Sequence, residues 1–319
     1  MVDSQDLKTY RRRVTSIECV FRHAPYSVVT LVARIKGEVT QELLTSAVAR
    51  VQQRPPLLRV RIVEDDSGDP WFTSEGVGKI PIEIVLREFD DTWISVAQRT
   101  GQIPFEFDRR PAIRFVLVQS AETSELVILC HHIICDGLSL AYLARDLMEH
   151  LGDPTRAVEL LPDPVPIRGE TMPEGVSLNA IARFFIQRMN KRWEREKVSF
   201  DRDDYKDLHA AYWMRYDHQL ISIELSEAQT CGLVARCRGE DVTVNSALTA
   251  AFAGAQSIVL GEERNHPSIA VAAGLRERLR SPVGEGMGFY AGLATLKYTY
   301  NNRRGRFWDN ARRFHLEIQ

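Results

Sequence analysis

The sequence predicts an α/β protein of two lobes, each a mixed or antiparallel sheet covered by helices. Three observations predict it. The chain has 319 residues, a length that suits about two domains. Both halves alternate short runs of two-residue periodicity with longer runs of helical periodicity. Between Leu160 and Val176 four prolines and two glycines fall without any period, the composition of a linker. The expected division is therefore 1–160, a linker at 161–176, and 177–319.

In the first half, Val28 to Ile35 reads as a strand, and Thr40 is placed to cap a helix carrying Leu43, Leu44, Ala47, Val48 and Val51 on one side. Pro55 and Pro56 stop that helix. Leu57 to Val63 sets Leu58, Val60 and Ile62 against Arg59 and Arg61, the alternation of a half-buried strand. Ile113 to Gln119 and Glu125 to Cys130 are further strands, and after Gly137 the residues Leu140, Leu143, Leu147 and Leu151 recur at helical spacing.

In the second half, Ser177 is placed to cap a helix with Leu178, Ile181, Phe185 and Met189 inward and Arg183, Arg188, Lys191, Arg192 and Arg195 outward. That basic face is either simply solvated or a docking surface for an anionic partner. Leu220 to Leu225 alternates as a strand. Ser226 with Gln229 forms a capping box for a helix ended by Gly239. Thr243 caps the next, with Leu248, Ala251, Phe252, Ala255 and Val259 as its apolar stripe. Leu293 to Tyr300 reads as a further strand, and Phe307 to Gln319 is a last helix.

The chemistry concentrates in Cys130-His131-His132-Ile133-Ile134-Cys135-Asp136-Gly137, which joins the strand Glu125 to Cys130 to the helix after Gly137. Adjacent residues at a strand end point to opposite faces, so one histidine should meet a substrate and the other the protein. Imidazole, with an unperturbed pKa of about 6.5, is the side chain suited to take a proton near neutral pH. Gly137 either relieves the steric limits of a turn or lets a ligand approach the backbone. Cys130, His131, His132 and Cys135 make a poor zinc set, because adjacent strand residues diverge and no second ligand pair follows. No metal is expected. No Gly-x-Ser-x-Gly elbow supports a serine hydrolase.

Composition narrows the partners. With 41 Lys and Arg against 43 Asp and Glu the formal charge is -2, which gives no basic field for nucleic acid. The apolar runs are too short to span a bilayer. The start of the chain is acidic and lacks an apolar signal region, and five cysteines without a CxxC pair suit a reducing compartment, so a cytoplasmic location is expected.

The string His131-His132-x-x-x-Asp136-Gly137 resembles the HHxxxDG signature of the CoA-dependent acyltransferase superfamily, which includes chloramphenicol acetyltransferase, the condensation domains of nonribosomal peptide synthetases and free-standing O-acyltransferases. Arg54-Pro55-Pro56-Leu57-Leu58-Arg59 is similar to the family's His-Pro-x-Leu-Arg stretch but lacks the histidine. Pro104 to Asp108, Asp241 to Leu248, Ile269 to Arg276 and Met287 to Gly292 resemble further family segments.

The resemblance implies two chloramphenicol-acetyltransferase-like lobes with an active-site tunnel between them. It implies His132 as the base, His131 as its support, and Asp136 as a structural anchor paired with Arg276 across the lobes. The donor it implies is an acyl-CoA or a phosphopantetheine-linked acyl group, with no tightly bound cofactor and no covalent acyl-enzyme. The acceptor would be a small molecule, and an acyl or peptidyl carrier protein a further partner. Gly292-Leu293 stands where condensation domains carry Asn-Thr, which favours a free-standing acyltransferase over a peptide-synthetase domain, and O-acyl transfer is the favoured reaction. A condensation-type amide-forming enzyme and a catalytically weak recruiting module remain the alternatives. No Asp-Phe-Gly-Trp-Gly motif follows, so the second lobe is expected to be truncated, with self-association or a missing C-terminal segment as the consequence.

Overall fold

The computed structural model describes residues 9–173, 188, 191, 202–260, 268–297 and 305–318. The helix expected after Ser177 lies outside the described residues, apart from exposed, helical Arg188 and Lys191. The chain forms two compact units, one of Met1–Leu220 with Arg276–Tyr290 and one of Ile221–Leu275 with Ala291–Gln319.

The first unit is built on a four-stranded sheet in the order β2-β7-β6-β5, where β2 is Val28–Lys36, β5 Ile82–Leu86, β6 Ile113–Gln119 and β7 Thr123–His131. β7 runs antiparallel to both of its neighbours, while β5 and β6 are parallel, so the sheet is mixed. The period of two in β7 sorts its side chains onto two cores. Leu126, Ile128 and Cys130 pack with the leucines of α2 (Gln41–Val51) and α4 (Gly137–Gly152), whereas Val127 and Leu129 pack with Val96 and Ala97 of α3 (Thr92–Gly101). A second sheet, β1-β4-β3, joins Arg11–Arg13, Pro70–Thr73 and Arg61–Glu64.

Local signals read from the sequence largely hold here. Thr40 accepts a bond from the Leu43 amide to open α2. The short helix α1 (Ser16–Arg22) starts with a capping box in which the Thr15 amide donates to the Glu18 carboxylate at 2.8 Å and Arg12 clamps the same carboxylate at 2.8 and 2.6 Å. One expectation is corrected. Pro56 opens a 3-10 turn over Pro56–Arg59 that buries Leu57 and Leu58 side by side, so strand begins only at Arg61. Proline at the first position of such a turn lacks an amide the turn does not need.

Residues 161–173 are more than a spacer. The Leu161 amide donates to the Arg54 carbonyl, and Val165, Ile167 and Met172 pack on Leu279, Val283 and Tyr290. The prolines remove amide donors, and apolar burial takes the place of a ladder. The first unit accordingly extends past the expected boundary through α5 (Arg202–Arg215) to Leu220, and it includes Arg276–Tyr290.

The second unit contains α6 (Glu227–Gly239), α7 (Val244–Leu260), the antiparallel pair β8 (Ser268–Gly274) and β9 (Ala291–Lys297), and α8 (Phe307–Ile318). Ser226 and Gln229 form the expected capping box and Thr243 accepts from the Ser246 amide. The helix α6 does end at Gly239 as expected, and the positive φ that follows belongs to Asp241 at 54°. Two expectations fail from Leu220 onward. Leu220 to Leu225 finds no strand partner among the described residues, and Ile221 and Ile223 are 83% and 79% exposed. Finally, α7 buries Ala247, Ala250, Ala253 and Gly254 and exposes Leu248, Phe252 and Val259. Its small-residue face admits a close neighbour, which the bulkier stripe would hold off. Among the described residues no single helix is long and apolar enough to cross a membrane; α6 and α7 pass that test only as a pair bent by 98°.

Candidate active site

Both histidines are placed by the end of β7. The His131 amide donates to the Ala112 carbonyl on the β6 side, and the His132 amide donates to Ser27 beside β2, each at 2.9 Å. Their rings diverge accordingly. His131 is buried edge-on against Phe105 and Phe107, with ring centroids 5.6 and 5.0 Å away. His132 sits half-buried between Phe21 of α1 at 5.2 Å and Phe289 at 5.4 Å.

Hydrogen bonds fix a different tautomer on each ring. The Ile133 amide donates to His131 Nδ1 at 3.2 Å, so that nitrogen carries a lone pair and the proton resides on Nε2. His132 Nδ1 lies 3.2 Å from the Cys135 carbonyl, which can only accept, so Nδ1 carries the proton and Nε2 is left as the basic atom. Burial pulls His132 below its ordinary pKa, opposed by the Cys135 carbonyl and by Asp136. It therefore stays neutral, and able to take a proton, throughout the neutral range. Burial, aided by the neighbouring His132, pulls His131 down to about 3, which makes it a neutral packing residue. Burial also raises the Cys135 thiol well above its ordinary value, so it is not a thiolate nucleophile.

Asp136 points away from both rings. It caps α4, and its Oδ1 accepts from the Ser139 amide at 2.7 Å, the Ser139 hydroxyl at 2.8 Å and Arg276 at 2.8 Å. Its Oδ2 accepts from the Tyr290 amide at 3.1 Å. Arg276 is 6% exposed, and its other terminal nitrogen donates to the Gly284 and Gly286 carbonyls. The guanidinium also lies over the Tyr290 ring, 4.7 Å from its centroid. The expected pair is therefore present, but within the first unit. Arg276–Tyr290 is counted there, so the pair binds a loop to α4 in place of the expected tie between lobes.

A second set of charges holds the same loop. Glu285 accepts from Arg145 of α4 and from Arg54, and these partners, Arg145 foremost, lower its carboxyl to about 2. Gly288 passes so close to the Tyr290 ring that a Cβ there would lie 2.7 Å from it. Gly137 makes no such demand. It lies at the exposed start of α4, and a Cβ there would meet nothing within 4 Å, so the steric-relief reading of this glycine has no support.

Phe21, Ser139, Glu285, Phe289 and Tyr290 escaped the sequence reading as site residues. Ser139 had a signal, since a hydroxyl three residues after an N-cap aspartate can share its carboxylate. Phe21 had none, because its neighbour His132 is far away in sequence. Among the described residues no three His, Cys, Asp or Glu side chains are grouped to hold a metal ion.

Residues 4–155 match the family model described as Condensation domain. These residues are condensation-domain sequence. Over 135 residues the chain is 32% identical to chondramide synthase of Chondromyces crocatus, covering 38% of this chain and 3% of that protein. The curated synthetases it matches are far longer, and the chain spans only 1% to 3% of their length. Among solved structures, the first condensation domain of the CDA synthetase superposes with a TM-score of 0.62 at 16% identity, over 97% of this chain and 74% of that one. Polyketide synthase associated protein 5 from Mycobacterium tuberculosis gives 0.58 at 17% identity, over 96% and 71%. The mixed α/β condensation-domain fold, related to that of chloramphenicol acetyltransferase, is thus the fold of this chain.

Proposed function

We propose that the chain is a condensation-type acyltransferase in which His132 Nε2 takes the proton of an acceptor hydroxyl or amine as that atom attacks a thioester carbonyl. The new ester or amide forms as the carbon–sulfur bond breaks, and the proton held on His132 returns to the departing thiolate. No acyl-enzyme is needed. The observation that carries this reading is the bond from His132 Nδ1 to the Cys135 carbonyl, which leaves Nε2 unprotonated between two aromatic rings. His131, Asp136 and Arg276 act by positioning it, Asp136 and Arg276 through the loop and α4.

A phosphopantetheine thioester on a carrier protein is the preferred donor, ahead of free acyl-CoA, because the matched segment in curated relatives belongs to synthetases. A hydroxyl is the preferred acceptor, since Gly292-Leu293 replaces the Asn-Thr of amide-forming condensation domains. Thiol release tests both preferences. A set of acyl groups is offered on pantetheine attached to a carrier protein and on CoA, with alcohols and amines as acceptors. Faster release from the carrier with an alcohol supports the reading; faster turnover with CoA or with an amine reverses the corresponding preference.

A further inference from the structure

The first unit contains a half-open cavity of about 770 Å³ whose walls come mainly from β3, β5, β6 and the 103–111 loop. The volume lies within the range that holds a drug-sized ligand. Much of its surface is apolar, supplied by Ile62, Ile82, Phe107, Ile113 and Phe115. Phe105 and Phe107, which pack on His131, form part of this wall, whereas His132 does not line it.

Arg114 on β6 projects a guanidinium onto this wall. Its terminal nitrogens donate to the Thr100 and Pro104 carbonyls at 3.4 and 3.0 Å, and it lies over the Phe105 ring at 4.1 Å. Those contacts fix its direction and use two of its five donors. Among the described residues no carboxylate forms an ion pair with it, although four carboxylates, Glu64, Glu83, Glu106 and Asp108, line the same cavity. Glu64 is paired with Arg22, Glu83 with Arg99, and Glu106 with Arg110. Burial lowers the Arg114 guanidinium to about 10, as for a cation that lacks a counter-ion.

We infer that this cavity binds an amphipathic monocarboxylate, with Arg114 as the counter-ion of its head and the apolar wall holding its tail. A guanidinium matches a carboxylate in a two-pronged geometry. A dianionic phosphate would call for more positive charge than the site offers, because Arg22, Arg110 and Lys206 on the wall are each paired with a carboxylate. This inference does not rest on the acyl-transfer reading, and binding can be measured where no turnover occurs.

Dodecanoate is the probe, and dodecanol is its neutral counterpart. Calorimetric titration of the full chain at about pH 7.5 should give one site that prefers the acid by about tenfold or more. Arg114→Met should bring the two ligands within about twofold of each other and leave dodecanol affinity unchanged. Ile103→Trp is the second variant. Ile103 lines the cavity yet is 45% exposed, so a larger ring there tests occupancy with little risk to folding, and it should weaken both ligands by about tenfold or more. Equal affinity for acid and alcohol in the unmodified chain, an unchanged preference in Arg114→Met, insensitivity to Ile103→Trp, or no binding of either ligand would each overturn the inference. If Arg114→Met does not fold, the acid-to-alcohol ratio in the unmodified chain and the Ile103→Trp titration decide it.

Discussion

Arg276 and Asp136, 140 residues apart in sequence, meet at 2.8 Å in an ion pair whose two side chains are each 7% exposed. The pair does two jobs at one carboxylate. Oδ1 caps α4 and binds the guanidinium, and Oδ2 takes the Tyr290 amide, so the loop carrying Phe289 is fixed to the helix that follows the histidines. Phe289 in turn packs edge-on against His132.

Arg276→Ala should therefore destabilise the chain more than a surface change would. Removing one partner of a buried pair leaves an uncompensated charge and typically costs about 3–5 kcal/mol. Urea unfolding of the variant should show a loss of that order. A loss below about 0.5 kcal/mol, the range of ordinary surface substitutions, would mean the pair is not a determinant of the loop.

The two glycines of the site should respond in opposite ways. Gly288→Ala forces a Cβ to within 2.7 Å of the buried Tyr290 ring and should lower the melting temperature. Gly137→Ala meets nothing and opens a helix, so its melting temperature should stay level or rise. If Gly137 is small to admit a ligand, turnover of Gly137→Ala should nevertheless fall. Melting curves and thiol-release rates on the two variants check both statements.

His131 links stability to pH. Its folded pKa of about 3 lies below the unfolded value, so the unfolded chain binds the extra proton between them. Its contribution is complete above about pH 6.5 and is lost as pH falls, at up to roughly 1.4 kcal/mol per unit. His131→Asn keeps an acceptor for the Ile133 amide but does not titrate, so its urea midpoint should vary less between about pH 7 and pH 5 than that of the unmodified chain. Identical slopes would show that His131 is not buried as described.

The rate should have its own acid limb. Because burial holds the His132 pKa down, kcat/KM for thiol release should be flat through neutrality and fall only below about pH 6.5, as Nε2 becomes protonated. A midpoint above about 7 would point to a different base or a solvated ring.

Much of this site was legible because the histidines lie between two strongly periodic segments. The run Glu125 to Cys130 and the leucines of α4 place the strand end and the helix start, and Asp136 then has to be the cap. The partner of Asp136 was legible only through family resemblance, since nothing local brings residue 276 to residue 136. Phe21 and Phe289 were out of reach for the same reason. In the second unit, local periodicity misled. Leu248, Phe252 and Val259 share a helical face, but α7 buries the small residues of its other side. Leu220 to Leu225 has a strand's alternation and, among the described residues, no neighbour to complete a ladder. In both places the packing partner, not the pattern, decides.

The central claim is that His132 Nε2 is the base. The most direct measurement is single-turnover thiol release from an acyl group on a carrier-protein pantetheine, comparing the unmodified chain with His132→Ala. The variant should keep the melting temperature of the parent to within a few degrees, because the ring is only half-buried and its bond to the Cys135 carbonyl is a local one. Its rate should fall on the order of a hundredfold or more. A folded His132→Ala chain that transfers the acyl group at near the parent rate would contradict the account.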